Sequence, residues 1–332
     1  MQNTILDVAG LTVGSADDEK AATGVTVVIF DEPAIAAVST LGGAPGTRDT
    51  TLLDLEMTVA HVDALVLSGG SAFGLDAAGG VQAVLREKGR GFRIGSITVP
   101  IIPQVILFDL LNGGNKEWGR TPPFFRLGME AADQAGRQMR MGTVGAGFGA
   151  TVAGLKGGLG SASAKTLSGH TIAALVAVNA VGSPLIGDGP HFWAAPYERD
   201  KEFGGRGWPP TITPTDLAPR MKGVASPAAN TTIGIIATDA ALDPQQAKRI
   251  ALAAHDGYAR ALRPAHTPLD GDTIFCAATA RKAGAVDIAA LTDLAFTAAD
   301  VMARAVARGV YEATALPFPD APPAWRDRFG ST

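Results

Sequence analysis

A layered α/β fold organised as one domain is what this sequence predicts, and three observations carry the prediction. Apolar residues make up 46% of the 332 positions and charged residues 18%, with 41 glycines, so the interior must be extensive, built from small side chains and unlike a disordered chain. Strand-like runs that are apolar on both faces recur between glycines, which requires sheets covered on both sides, by helices or by another sheet. Stretches of helical periodicity separate and follow these runs. The length would hold two average domains, yet a large layered fold absorbs it as one.

In chain order, residues 24–30, 35–39 and 64–67 read as the first strands, each bounded by glycine or other turn residues. Helices are expected over about 73–88 and 125–139, and a further strand over 171–179. The segment 192–229 is different. It is rich in Pro, Gly and charge, as in Glu202-Phe203-Gly204-Gly205-Arg206-Gly207-Trp208-Pro209-Pro210, and reads as a long surface loop or linker. A buried strand then begins abruptly at 231–238. The helix over 244–261 has its start marked by Asp243 as N-cap and Pro244 at the first helical position. A strand at 273–279 and a long helix at 287–313 complete the reading.

Composition and motifs exclude several function classes. The 28 basic residues against 32 acidic ones give a net charge of −4, and no stripe of Lys and Arg could follow a nucleic acid backbone. The N-terminus lacks a basic region followed by an apolar stretch, and nowhere do eighteen apolar residues run together, so a soluble, cytoplasmic protein without a membrane partner is expected. The one cysteine, Cys276, sits in an apolar run and reads as a small core residue. Gly145-Ala146-Gly147-Phe148-Gly149-Ala150 nearly fits a dinucleotide fingerprint, but Lys165 and Thr166 stand where an acidic residue is needed and four glycines interrupt the following helix. A packed turn is the better reading, and no cofactor is expected. His61 with Asp63 lacks a third ligand nearby, so no metal is expected either.

Two candidate nucleophiles remain. Gly69-Gly70-Ser71-Ala72-Phe73-Gly74 lies where a nucleophile elbow would, but Phe73 occupies the last glycine of that pattern, and the five histidines show no spacing that marks a base. It reads as a glycine turn lining a pocket. Asn230-Thr231-Thr232 is formally a glycosylation acceptor, a reading without support in the absence of a secretory signal. Its bland alternative is a Thr-rich strand start. Its functional reading is that the Thr231 hydroxyl attacks the Asn230 carbonyl, forms an ester by N-to-O acyl shift and is released by water. The freed α-amine, with an ordinary pKa of about 7.7–8.0, could then serve as general base at neutral pH. Composition alone does not choose between the two.

The chain resembles the self-processing family of L-aminopeptidase/D-esterases, β-aminopeptidases and nylon-oligomer hydrolases, to which pantetheine hydrolase is related. The likeness runs from about Val13 to Ala313 through eight motifs in the family's order: Thr23-Gly24-Val25-Thr26-Val27, Gly43-Ala44-Pro45-Gly46-Thr47-Arg48, Leu67-Ser68-Gly69-Gly70-Ser71-Ala72-Phe73-Gly74-Leu75, Val99-Pro100-Ile101-Ile102-Pro103 with Ile106-Leu107-Phe108-Asp109, Leu155-Lys156-Gly157-Gly158-Leu159-Gly160, Ala177-Val178-Asn179-Ala180-Val181-Gly182, Asn230-Thr231-Thr232 and Asp270-Gly271-Asp272-Thr273. The resemblance implies a four-layer αββα sandwich of the N-terminal-nucleophile-hydrolase type. It implies a precursor cut into an α fragment, 1–230, and a β fragment, 231–332, that stay associated within a homo-oligomer, a tetramer.

By the same resemblance Thr231 is the nucleophile, Asn179 helps hold the oxyanion, Lys156 is a lysine near the nucleophile, and Asp270 and Asp272 orient the nucleophile and its amine. Beside these roles stand blander ones: Lys156 as a surface charge in a glycine loop, and Asp270-Gly271-Asp272 as a turn before a strand. Ser71, Phe73 and Gly74 are expected to bound the substrate pocket. The aminopeptidase branch typically carries a Ser nucleophile and a Ser-x-Glu pair, so Thr231 and Asp270-Gly271-Asp272 tilt the chain toward the nylon-oligomer branch. Phe73, however, stands where that branch is associated with a tyrosine. The expected activity is hydrolysis of linear amides, nylon (6-aminohexanoate) oligomers or short peptides through an acyl-Thr231 intermediate. The alternatives are an aminopeptidase or β-aminopeptidase, a pantetheine-type amidase, an acyltransferase and a non-enzymatic ligand-binding protein.

Overall fold

The computed structural model describes residues 1–222 and 230–330. Of the segment expected as a surface loop, residues 223–229 lie outside the described residues. The strands are β1 (Leu11–Asp18), β2 (Thr23–Thr40), β3 (Thr47–Arg48), β4 (His61–Ser68), β5 (Phe92–Ile94), β6 (Ile97–Val99), β7 (Gln104–Ile106), β8 (Thr151–Val152), β9 (Leu155–Lys156), β10 (Gly158–Lys165), β11 (Thr171–Asn179), β12 (Thr231–Ala241) and β13 (Thr273–Ala285). The helices are α1 (Ala77–Glu87), α2 (Phe124–Asp133), α3 (Pro244–Ala261), α4 (Ile288–Tyr311) and α5 (Trp325–Phe329).

The main ladder runs β10-β11-β12-β13-β2-β4-β7-β3, with β1 also paired to β2. β2 is its spine. The first half of β2 pairs with β1 and β4 and the second half with β13, and the register breaks between Ile29 and Ala34 around the exposed Asp31, Glu32 and Pro33. The ladder thereby divides into two leaves.

Alternation along the strands sorts side chains into three apolar layers. Ala173, Leu175 and Ala177 of β11 and Ile233, Ile235 and Ala237 of β12 share one core with Val28, Phe30, Leu65 and Leu67 of the other leaf. The alternate residues of β11, Ile172, Ala174, Val176 and Val178, face the other way, into a core with α3 and α4. Val25, Val27, Ile29, Ala64 and Val66 pack against α1 and α2. Two helical layers enclosing two sheet leaves make the αββα sandwich.

α3 starts where its sequence says. Asp243 accepts the Gln246 N–H at 2.7 Å and Gln246 Oε1 accepts the Asp243 N–H at 3.1 Å, a reciprocal cap contributing about 1 kcal/mol. Cys276 is buried in the core beside α3, and burial pushes its thiol up to about 12. Other boundaries move. The helix expected from 73 opens instead as a 3-10 turn, Ser71–Asp76, before α1, because Gly70 and Ser71 both hold positive φ, 86° and 53°. α2 ends at Asp133, and Gly136 pairs with Val13 instead of continuing it. The described part of the 192–229 segment is irregular but not merely superficial: Phe192, Ala194 and Phe203 are buried in the core beside α4 and α5, and Glu202 is paired with Arg304. Among the described residues no helix is long and apolar enough to cross a membrane.

β12 and β13 are parallel neighbours linked by α3, so both begin at the same edge of the sheet, and antiparallel β11 ends there. Topology therefore gathers Asn179, Thr231 and the Asp270–Asp272 turn at one place.

Candidate active site

Thr231 opens β12 and lies opposite Asn179 in the ladder. The Asn230 N–H donates to Leu269 O at 3.1 Å, and the Asn230 carbonyl accepts the Gly271 N–H at 2.9 Å. The Thr231 hydroxyl donates to that same carbonyl oxygen at 2.5 Å. A fixed backbone donor thus polarises the junction's carbonyl while the next residue's hydroxyl is held against it. Glycine is required at 271 for this approach: a Cβ there would lie 2.8 Å from Thr231 Oγ1 and 2.7 Å from Ala44 O.

Asp270 and Asp272 flank Gly271, and both are buried. Asp270 accepts N–H groups of Val181 at 3.2 Å and Thr267 at 3.0 Å. Burial, and then the charge of Asp272, raises its pKa. Asp272 accepts the Thr232 N–H through Oδ1 at 2.8 Å and the His266 N–H through Oδ2 at 3.0 Å. The turn is clamped from outside by Leu41 and Gly42, whose N–H groups donate to Asp272 O, and by Ala44, whose N–H donates to Asp270 O at 2.8 Å. The Gly43-Ala44-Pro45 motif therefore belongs to the same construction.

Lys156 is fully buried, and its ammonium donates to the carbonyls of Gly147 (3.1 Å), Ala150 (2.8 Å) and Gly157 (2.8 Å). Burial holds it down to about 7 despite the opposing charge of Asp109. The Asn179 amide is oriented by three partners: Nδ2 donates to Phe108 O at 2.8 Å, and Oδ1 accepts the Thr151 N–H at 3.0 Å and Lys222 Nζ at 2.9 Å. Lys222 also donates to Thr151 O (2.6 Å), Thr151 Oγ1 (3.0 Å) and Asn179 O (3.2 Å), while its own N–H bonds Val181 O at 2.9 Å. Burial pushes the Lys222 ammonium down to about 7 too. Asn230, Lys222, Thr151, Phe108, Asp109 and Leu111 are among the walls of a cleft of about 510 Å³.

The structure thus brings together Thr231, Asn179, Asp270 and Asp272, with Lys156 beneath the Gly147–Ala150 loop. Ser71, Phe73 and Gly74 do not line this cleft. Phe73 is half exposed, its ring edge-on to Trp118 at 5.8 Å. The turn still touches the site indirectly, since the Gly70 N–H donates to Asp109 at 2.8 Å. Sequence reasoning missed Lys222 and His266. Lys222 gave no signal, lying in an aperiodic segment. His266, four residues before Asp270 and bonded to Asp272, was set aside with the other histidines for want of spacing.

Comparison with known proteins identifies the family to which the chain belongs. Residues 3–321 match the model of peptidase family S58. An uncharacterized aminopeptidase of Mycobacterium bovis is 43% identical, covering 98% of each chain. A 6-aminohexanoate-oligomer endohydrolase of Kocuria sp. is 29% identical over 82% of this chain and 74% of its own. The L-aminopeptidase D-Ala-esterase/amidase of Ochrobactrum anthropi, described as a new variant among the Ntn hydrolase fold, superposes with a TM-score of 0.69 at 19% identity, over 96% of this chain and 88% of its own.

Proposed function

The chain belongs to peptidase family S58 and is an amide-bond hydrolase, and from that premise we propose that it is of the N-terminal-nucleophile type, its nucleophile Thr231 freed by the chain's own cleavage after Asn230. The observation that carries the proposal is the junction itself, where the Thr231 hydroxyl and the Gly271 N–H meet on one carbonyl oxygen. In maturation Oγ1 attacks the Asn230 carbonyl carbon. The Gly271 N–H holds the oxyanion, and the carbon–nitrogen bond to Thr231 breaks as its nitrogen takes the hydroxyl's proton. Water then hydrolyses the Asn230 ester, leaving a carboxylate on residues 1–230 and a free α-amine on Thr231.

In turnover the α-amine accepts the hydroxyl proton as Oγ1 attacks the substrate amide, then passes it to the departing amine, and water releases the acyl group. Asn179, opposite the nucleophile, supplies an amide donor to the oxyanion. Asp270 and Asp272 hold the strand start, and Lys156 fixes the Gly147–Ala150 loop that flanks Asn179. The cleft mixes Phe108, Leu111 and Pro322 with Asp109 and Lys222, a lining that suits extended aliphatic amides such as aminohexanoate oligomers, or short peptides, better than strongly anionic ones. Fragments 1–230 and 231–332 stay together on this reading, because β12 is bonded on one side to β11 and β13 on its far side to β2. The homo-oligomer, a tetramer, and the cytoplasmic location expected from sequence go with the proposal.

Gel analysis of purified, aged protein tests it. Two fragments should appear, the smaller beginning Thr-Thr-Ile-Gly. A single full-length band in active protein, or a different new N-terminus, overturns it. Product analysis with and without an added amine separates hydrolysis from acyl transfer.

A further inference from the structure

Asp272 is a carboxylate nearly without water, its side chain 2% exposed. Its two oxygens take the N–H of Thr232, next to the nucleophile, and the N–H of His266. Among the described residues no lysine or arginine forms an ion pair with it. Its charge partner is the His266 ring, with Nδ1 2.9 Å from Oδ2. The ring N–H is not aimed along that line, so the contact is one of charge more than of hydrogen-bond geometry.

Among the described residues packed on the His266 ring, none carries a positive charge. From α3, His255 and Tyr258 pack on its ring with centroids at 5.0 and 6.0 Å. His255 bonds Ser39 O at 3.0 Å, and burial holds its imidazole down to about 4, so it is neutral. The buried Tyr258 hydroxyl is held well above its ordinary value and is also neutral. Asp270 faces it from the turn, and Asp256 acts on the neighbouring His255. Burial by itself would discharge the imidazole, but Asp272, helped by the His255 backbone and the charge of Asp270, offsets this and the net shift is upward. With 20% of its side chain exposed, His266 can exchange its proton with solvent.

We infer that His266 is a positioning residue acting through Asp272: its imidazolium offsets the carboxylate behind the nucleophile and so keeps the α-amine of matured Thr231 in its proton-accepting form at neutral pH. The inference rests on the reading of Thr231 as an N-terminal nucleophile. The physical reason is that an uncompensated carboxylate favours the ammonium form of a nearby amine and raises its pKa, and an ammonium cannot act as a base. With the imidazolium on its far oxygen, the carboxylate belongs to a neutral pair.

The test is the pH profile of kcat/KM for matured wild type, His266→Gln, and His266→Gln combined with Asp272→Asn. His266→Gln should move the acid limb up by about one pH unit, so that a loss of about tenfold at pH 7 is largely recovered at pH 9. The double variant should return the limb toward its wild-type position, since no carboxylate is left to compensate. A uniform loss at every pH, or a limb moved downward, overturns the inference. Should His266→Gln fail to mature, histidine-selective NMR of wild type decides: His266 protonated at pH 7 supports it, and a neutral ring at pH 7 refutes it. Normal amide turnover by Thr231→Ala would instead defeat the nucleophile reading itself, whatever His266 does.

Discussion

Gly271 donates its N–H to the carbonyl of Asn230 at 2.9 Å, across a gap that admits no side chain. Gly271→Ala puts a methyl against Thr231 Oγ1 and Ala44 O, so the carbonyl, the hydroxyl or both must move. Displacement of about 1 Å costs on the order of a hundredfold in rate. Maturation should slow by that order, read as the fraction of full-length chain over time by intact-mass spectrometry. Wild-type cleavage kinetics in this variant would remove Gly271 from the machinery.

Thr231→Ala removes the hydroxyl needed for both acyl steps, so the chain should remain whole and inactive. Thr231→Ser keeps the hydroxyl but loses the methyl that restricts χ1, and partial processing with reduced turnover should follow. Assays of both purified variants on an amide the wild type hydrolyses check this.

Lys222 is bound to Thr151 and Asn179 through four oxygens. Lys222→Met should loosen Asn179 and Thr151 beside the junction and slow maturation by about tenfold, the effect of losing about 1.5 kcal/mol of charged hydrogen bonding. A time course of band intensities after synthesis measures it, and unchanged kinetics would show that maturation needs no such contact.

Lys156 carries a pH signature. Burial lowers its pKa in the folded chain from 10.5 to about 7, so between about 7 and 10.5 the unfolded chain binds more protons than the folded one. The cost of charging the buried amine is then complete below about pH 7 and fades as pH rises. Thermal melts should show wild type gaining stability from pH 7 to pH 10 relative to Lys156→Met, and parallel curves would contradict a buried, depressed amine.

Phe73 does not line the cleft and is half exposed beside Trp118, so a role in substrate choice requires a substrate long enough to extend beyond the cleft. Phe73→Tyr should change the ranking among aliphatic amides more than it changes self-cleavage, and equal loss of both with unchanged ranking would count against a pocket role.

The strands and helices legible in the sequence were those whose side chains carry a pattern. β11 and β12 announce themselves by uninterrupted apolar residues, and α3 by Asp243-Pro244. β10 was missed because Gly158, Gly160, Ser161 and Ser163 have poor strand propensity. They are small because α4 lies directly on them: a Cβ on Gly160 would lie 1.9 Å from Ala305 O. Such a residue choice answers to a helix more than 140 positions later, which no local window contains. The site divides likewise. Thr231, Asp270 and Asp272 were found through short motifs, whereas Lys222 acquires meaning only when folding sets Thr151 and Asn179 around its ammonium.

The order of parts along the chain also has a temporal meaning. Asn230 and Thr231 leave the ribosome before Gly271 and Asp272, and before β13, which joins the two leaves. A nascent chain ending shortly after its own junction therefore holds the bond to be cut but not the donor that polarises it or the carboxylate that fixes the attacking residue. On the proposed self-cleavage, sequence order delays scission until Gly271 and Asp272 have been made. Breakage of the chain would then report that this turn and β13 are in place.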